Sequence, residues 1–139
     1  MTEQNTIAAL QKIFASYPDI TCVYLFGSYT ERQTCAGDVD LAVLMLNPPR
    51  STVSLYMELY PDLSKVFSPL EVDLLFLNSA PLPIAFEIIS TGKVIYCKDD
   101  DLRTDFEYII SGKYMDFRYH LETARQELFE TIMEESANV

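Results

Sequence analysis

Apolar positions along the chain fall into two alternating rhythms. Ile7, Leu10, Ile13 and Phe14 recur at helical spacing, which predicts an amphipathic helix over residues 5–16, closed by Pro18 and Asp19. Ile20 to Phe26 (ITCVYLF) is a short run of β-branched and aromatic residues and reads as a buried strand. Gly27-Ser28 breaks that run, and the polar stretch YTERQTCAG predicts a short helix and a loop. A second strand is expected from Asp38 to Leu46 (DVDLAVLML), stopped by Asn47-Pro48-Pro49. Ser51 to Phe67 reads as a helix with Leu55, Met57, Leu59 and Leu63 in the core, although Pro61 threatens its continuity. Leu70 to Leu77 is a third strand, Ile84 to Ser90 a short helix ending at Gly92, and Lys93 to Cys97 a fourth strand. From Asp99 a long helical pattern runs to the C-terminus, with Gly112 as a potential break. Asp99, Asp100 and Asp101 stand where a helix N-terminus favours negative charge, which explains them better than a metal site does.

This alternation predicts an α/β (α+β) domain: a mixed central sheet flanked by helices, followed by a helical tail. The 139 residues suit one domain, divided as a core over 1–97 and a tail over 98–139. Acids outnumber bases 21 to 10, for a net charge of −11, and that argues against non-specific nucleic-acid binding, which needs a basic surface. The tail alone carries 11 acids and 5 bases, so it is a candidate surface for a basic partner, or simply a solubilising one. No apolar run approaches the roughly 20 residues of a membrane helix, and the start, MTEQNTIAAL, has no signal-peptide pattern. Cys22, Cys35 and Cys97 show no metal-type spacing, and an odd count fits reduced thiols in a cytoplasm. One histidine, His120, excludes a His-rich zinc site.

Chemistry concentrates between Gly27 and Asp40. A glycine leaving a strand lets backbone N–H groups approach a polyphosphate, and the Ser28 hydroxyl adds a donor. Asp38 and Asp40, two apart on a strand, point to one face, where they can share hard cations. Asp73 lies mid-strand in an apolar run; if the third strand lies beside the second, it completes a three-carboxylate cluster for magnesium. Each part has a plainer explanation: a turn at Gly27-Ser28, a strand-entry cap at Asp38 and Asp40, an edge-strand charge at Asp73. Their occurrence together and in order favours the site. Arg32 is better read as solvent-exposed, Tyr114, Phe117 and Tyr119 as core or interface packing, and Cys35 as inert.

At these residues the sequence resembles the polymerase-beta-like nucleotidyltransferases, with strand, G-S, spacer, D-x-D and a later strand aspartate. More narrowly it resembles the minimal nucleotidyltransferases that serve as antitoxins of HEPN ribonuclease toxins. The resemblance implies a nucleotidyltransferase fold in which Gly27 and Ser28 hold the triphosphate, Asp38 and Asp40 bind metal, and Asp73 also binds metal and helps to activate the acceptor. It implies Mg2+ as cofactor, ATP as substrate, and a cognate HEPN toxin as partner, in a homodimer or hetero-oligomer. The implied reaction is transfer of AMP to a hydroxyl of that toxin, a tyrosine by analogy. Two alternatives remain open: an idle antitoxin acting by contact alone, and a small-molecule nucleotidyltransferase of the aminoglycoside type. The nine-residue spacer, Glu31-Arg32 where Arg-Gly is frequent, and Gly37 before D-x-D depart from the common pattern, all in the loop over the phosphates.

Overall fold

The β-branched and aromatic run ITCVYLF forms strand β1 (Ile20–Phe26), and its first six residues are buried. The structure, a computed structural model, describes residues 3–27, 38–48 and 51–137. Ahead of β1 stands helix α1 (Glu3–Ala15), and after it come β2 (Asp38–Met45), α2 (Val53–Phe67) and β3 (Glu71–Phe76). A single 3-10 turn (Leu77–Ser79) leads to α3 (Leu82–Thr91), β4 (Lys93–Cys97) and the 38-residue helix α4 (Asp100–Ala137). The strands form one mixed sheet in the order β3-β2-β1-β4, antiparallel except for the parallel pair β2 and β3. Two layers of helix cover it, as a sheet buried on both faces requires.

Alternation along the strands sorts side chains between two cores. Val23, Leu25, Val39, Leu41, Val43 and Val72 pack against Leu10 and Phe14 of α1 and Leu59, Leu63 and Phe67 of α2. On the other face Cys22, Tyr24, Ala42 and Leu44 meet Ala85 and Ile88 of α3, with Phe106 and Ile110 of α4 alongside. Met57, expected in the core, is 68 % exposed. The buried stripe of α2 is Leu59, Leu63 and Phe67, four residues apart, and Met57 lies on the solvent side with Pro61. That placement also explains why Pro61 does not end the helix. The carbonyl that loses its N–H partner, four residues back at Met57, lies on a solvent-exposed face and can be hydrated.

Gly112 does not break α4. It lies on the exposed side, where a Cβ would meet nothing within 4 Å, and an interior glycine costs only about 1 kcal/mol relative to alanine. The N-terminus is capped as expected: the Asp99 carboxylate accepts hydrogen bonds from the backbone N–H of Asp101 (3.0 Å) and Leu102 (3.2 Å). The buried Tyr24 hydroxyl donates to Glu107 at 2.6 Å, and Arg103 donates to the same carboxylate at 3.1 Å, fastening α4 to the sheet. Farther along, Tyr114 stacks on Phe86 of α3 at 4.0 Å between ring centroids. Beyond it Phe117 and Tyr119 are exposed, so of the three tail aromatics only Tyr114 packs on the body. No helix among the described residues is long and apolar enough to cross a membrane.

The cysteines also find a spatial relation that spacing does not reveal. Cys22 and Cys97 are ladder partners on β1 and β4, both free thiols. Burial pushes Cys22 up to about 12, so it is a protonated core residue at neutral pH.

One side chain continues the pairing of β2 with β3 past its last backbone pair. Asn78, just past β3, accepts from the Met45 backbone N–H and donates to the Met45 carbonyl, both at 2.9 Å. It thereby extends the ladder after the β3 backbone has turned away. Asn78→Ala is expected to lower the unfolding free energy by about 1–3 kcal/mol, since it strands a donor and an acceptor on a buried residue; urea unfolding measures this.

Candidate active site

The register of the parallel pair builds the site. Asp40 stands opposite Asp73, and Asp38 opposite Glu71. Residues directly opposite in a ladder share a face, and so do residues two apart on a strand. Asp38, Asp40, Glu71 and Asp73 therefore form a block, two by two, on the face that carries Ala42 and Leu44 farther along β2. The expectation that β3 lies beside β2 is met, and it is met in the register that brings Asp73 to Asp40. Asp73 is exposed on an edge strand, so the burial cost of a mid-strand carboxylate does not arise.

Asp40 is the half-buried member. Burial first, then the negative charges of Asp73 and Asp38, hold its carboxyl above the usual carboxylate range. Among the described residues no cation pairs with any of the four carboxylates.

Gly27 closes the site from the β1 side. Its φ of +78° is left-handed, a conformation that favours glycine, and a Cβ there would run into the Asp40 carboxylate. Glycine at this point gives the chain its turn and Asp40 its room, in addition to any approach by a phosphate. Ser28, together with Arg32, Cys35 and the rest of the spacer before Asp38, lies outside the described residues.

The donor set suits a hard cation: oxygen ligands, like-charged, on one face, with one of them partly desolvated. No group of three or more His, Cys, Asp or Glu side chains among the described residues is gathered closely enough to hold a metal by itself. Magnesium is usually bound by one or two carboxylates together with substrate phosphates rather than in an all-protein cage, so this open arrangement fits it. Asp38, Asp40 and Asp73 are the residues that would hold it.

Glu71 escapes a reading of the sequence, because nothing in LEVDLLFL marks its glutamate as different from a surface charge. Its spacing from Asp73 repeats that of Asp38 from Asp40, and only the strand register turns the repeat into a shared block.

The mixed sheet, with aspartates at the start of a central strand, a further aspartate on its parallel neighbour and a glycine turn beside them, agrees with the nucleotidyltransferase fold expected from the sequence. The chain belongs to the polymerase beta nucleotidyltransferase family, whose profile matches residues 8–101. No curated protein sequence matches it significantly. Among solved structures, a chain of a toxin-antitoxin complex with AMP-PNP is 25% identical over 95% of this chain and 99% of that one, with a TM-score of 0.64. A chain of the tri-AMPylated Shewanella oneidensis HEPN toxin in complex with MNT antitoxin is 24% identical, over 95% and 99%, with a TM-score of 0.63. The MntA-HepT toxin-antitoxin structure matches at 23% identity over 94% and 99%, with a TM-score of 0.62.

The raised Asp40 carboxyl has a consequence for stability. The native state binds this proton more tightly than the unfolded chain does, so the ionised group costs stability at neutral pH, and the cost fades as pH falls through the raised value to the ordinary carboxylate range. Asp40→Asn is expected to raise the Tm of the ligand-free protein near neutral pH, with the gap over wild type closing toward about pH 4. Thermal unfolding of both proteins across pH checks it.

Proposed function

We propose that this chain is an antitoxin that transfers AMP from ATP to a hydroxyl, taken as that of a tyrosine, on a cognate HEPN ribonuclease toxin, and so neutralises it. The observation that carries the reading is the pairing of Asp40 with Asp73 across β2 and β3, which gathers carboxylates from separate parts of the sequence onto one face of the sheet. The AMP-PNP complex and the tri-AMPylated toxin among the structural neighbours support the nucleotide and the kind of acceptor.

In this reading Gly27 and Ser28 hold the triphosphate, and Asp38 and Asp40 lie beneath it. Bound magnesium would offset the phosphate charge and lower the pKa of the acceptor hydroxyl. Asp73, from the neighbouring strand, would help to hold metal on the acceptor side and so ease loss of the hydroxyl proton to solvent. The acceptor oxygen bonds the α-phosphorus, the bond from that phosphorus to the bridging oxygen breaks, and pyrophosphate leaves. One domain does this work, residues 1–97 carrying the chemistry and 98–139 the partner contact, in a cytoplasm that supplies ATP and magnesium.

Helix α4 supports the partner contact. At 1.5 Å per residue it is about 57 Å long, and from Met115 onward its large apolar side chains, among them Phe117, Leu121, Leu128 and Ile132, are exposed. An apolar face of this extent marks an interaction surface. The acidic residues around it would speed encounter with a basic toxin and select for it, while the apolar stripe supplies the affinity. The same surface would serve an antitoxin acting by contact alone, so binding and chemistry need separate tests.

Asp73→Asn is the test of chemistry, because asparagine keeps the shape and removes the charge. The variant is expected to bind Mg-ATP within about tenfold of wild type and to transfer AMP at least roughly a hundredfold more slowly. Calorimetry with Mg-ATP and label transfer to the purified toxin measure the two quantities; near-normal transfer would reject the three-carboxylate mechanism. Binding is tested on the full chain by Phe117→Glu with Leu128→Glu. Both positions are exposed, so the fold should persist with an unchanged Tm while co-purification with the toxin is lost.

A further inference from the structure

Toward the other end of β1 from Gly27, two thiols meet that nucleotidyl transfer does not use. Cys22 of β1 and Cys97 of β4 are ladder partners, and both are free. Ladder partners point to one face, here the face covered by α3 and α4. The Lys98 backbone N–H donates to the Thr21 carbonyl at 2.7 Å. In an antiparallel ladder, a bond from the residue after one partner to the residue before the other marks a non-hydrogen-bonded pair. Such pairs have Cα atoms about 4.5 Å apart and side chains close together. A disulfide needs a Cα separation of roughly 4.4–6.8 Å, so the two backbones already stand within reach of one.

The two thiols differ in access. Cys22 is fully buried, while Cys97 is half-buried. Burial and Asp100 raise the Cys97 pKa, but the Asp99 backbone N–H and the Arg103 guanidinium donate to its sulfur and favour the thiolate. A small oxidant from solvent therefore meets Cys97 first, with Cys22 directly behind it. The pair also lies where the β1–β4 ladder is weakest. The register shifts between Val23 and Tyr24, leaving Ile95 unpaired, and beyond that bulge the paired residues are Cys22 with Cys97 and Val23 with Tyr96. β4 is an edge strand, and α4 follows it at Asp100.

We propose that Cys22 and Cys97 form a redox modification site, which hydrogen peroxide closes into an intramolecular disulfide that staples β4, and with it the start of α4, to β1. The Cys97 thiolate attacks one peroxide oxygen, the O–O bond breaks, and the products are the Cys97 sulfenic acid and hydroxide, which takes up the proton that Cys97 released. The Cys22 sulfur then bonds the Cys97 sulfur, the S–O bond breaks, and the leaving hydroxide takes the Cys22 proton as water. In sum the two thiols give up two electrons and two protons, and one peroxide becomes two waters. A thiol reductant reverses the bond, as expected of a transient disulfide in a reducing compartment. The site stands apart from the nucleotidyl-transfer reading, since it uses neither the carboxylates nor the exposed half of α4.

The test treats the reduced, folded, full-length protein with hydrogen peroxide, blocks the remaining thiols by alkylation and maps linked peptides by mass spectrometry. The peptide carrying Cys22 is expected joined to that carrying Cys97, with Cys35 in neither link, and dithiothreitol should separate them. The oxidised protein should melt roughly 10 °C above the reduced one, because the link closes a long loop and constrains the unfolded chain. Cys97→Ser, at a half-buried position, should fold, form no link and show no rise in Tm, with Cys22 still a thiol. Cys35→Ser removes the third thiol and should leave both the link and the rise in place. A link through Cys35, a covalent dimer through Cys97, or Cys97 left unlinked to Cys22 after oxidation overturns the inference. So does a Cys22–Cys97 link without a rise in Tm, which would mean that the bond does not staple the native sheet.

Discussion

Everything at the active end of this molecule depends on the parallel pairing of β2 with β3 in one register. Side chains alternate along a strand, so a slip of one residue would send Asp73 to the opposite face and leave Asp40 alone. The same slip would pull Val72 out of the core beside Val39. The apolar positions therefore hold the register that the polar positions need, and the Asn78 clamp on Met45 secures its far end. Packing energy, rather than any attraction among the carboxylates, keeps the site together.

That division of labour is needed because the carboxylates repel one another. Asp40 shows the tension directly, with a carboxyl raised by burial and by two neighbouring charges. A protein folded around such a block gives up stability in order to hold these charges together, a common trade between stability and activity. Gly27 belongs to the same economy of space. A larger residue would have to displace the Asp40 carboxylate as well as strain the turn.

Helix α4 divides in a different way. Its first half is fastened by the Tyr24–Glu107–Arg103 network and by Tyr114 on Phe86, so it belongs to the folded body. Its second half buries nothing, yet carries apolar side chains at Phe117, Leu121, Leu128 and Ile132, spaced for one face. That stripe is the feature on which the proposed partner contact rests.

The sequence by itself determined much of this. The boundaries of β1 and β4 are readable to the residue because β-branched and aromatic runs end in Gly27, Gly92 and Lys98, and the Asp99 cap of α4 is readable because capping is local chemistry. Asp38 and Asp40 are legible as a pair because alternation alone puts them on one face. Met57, Pro61 and Gly112 were misleading, since a helix tolerates an exposed proline or glycine and the choice of buried stripe is made by the sheet it packs on. What only the tertiary structure decided is which strands lie side by side. Asp73 joins Asp40, Glu71 joins Asp38 and Cys22 meets Cys97 across gaps of some 33 to 75 residues. No local pattern encodes those meetings, because strand order and register are settled by how the whole sheet buries its two faces.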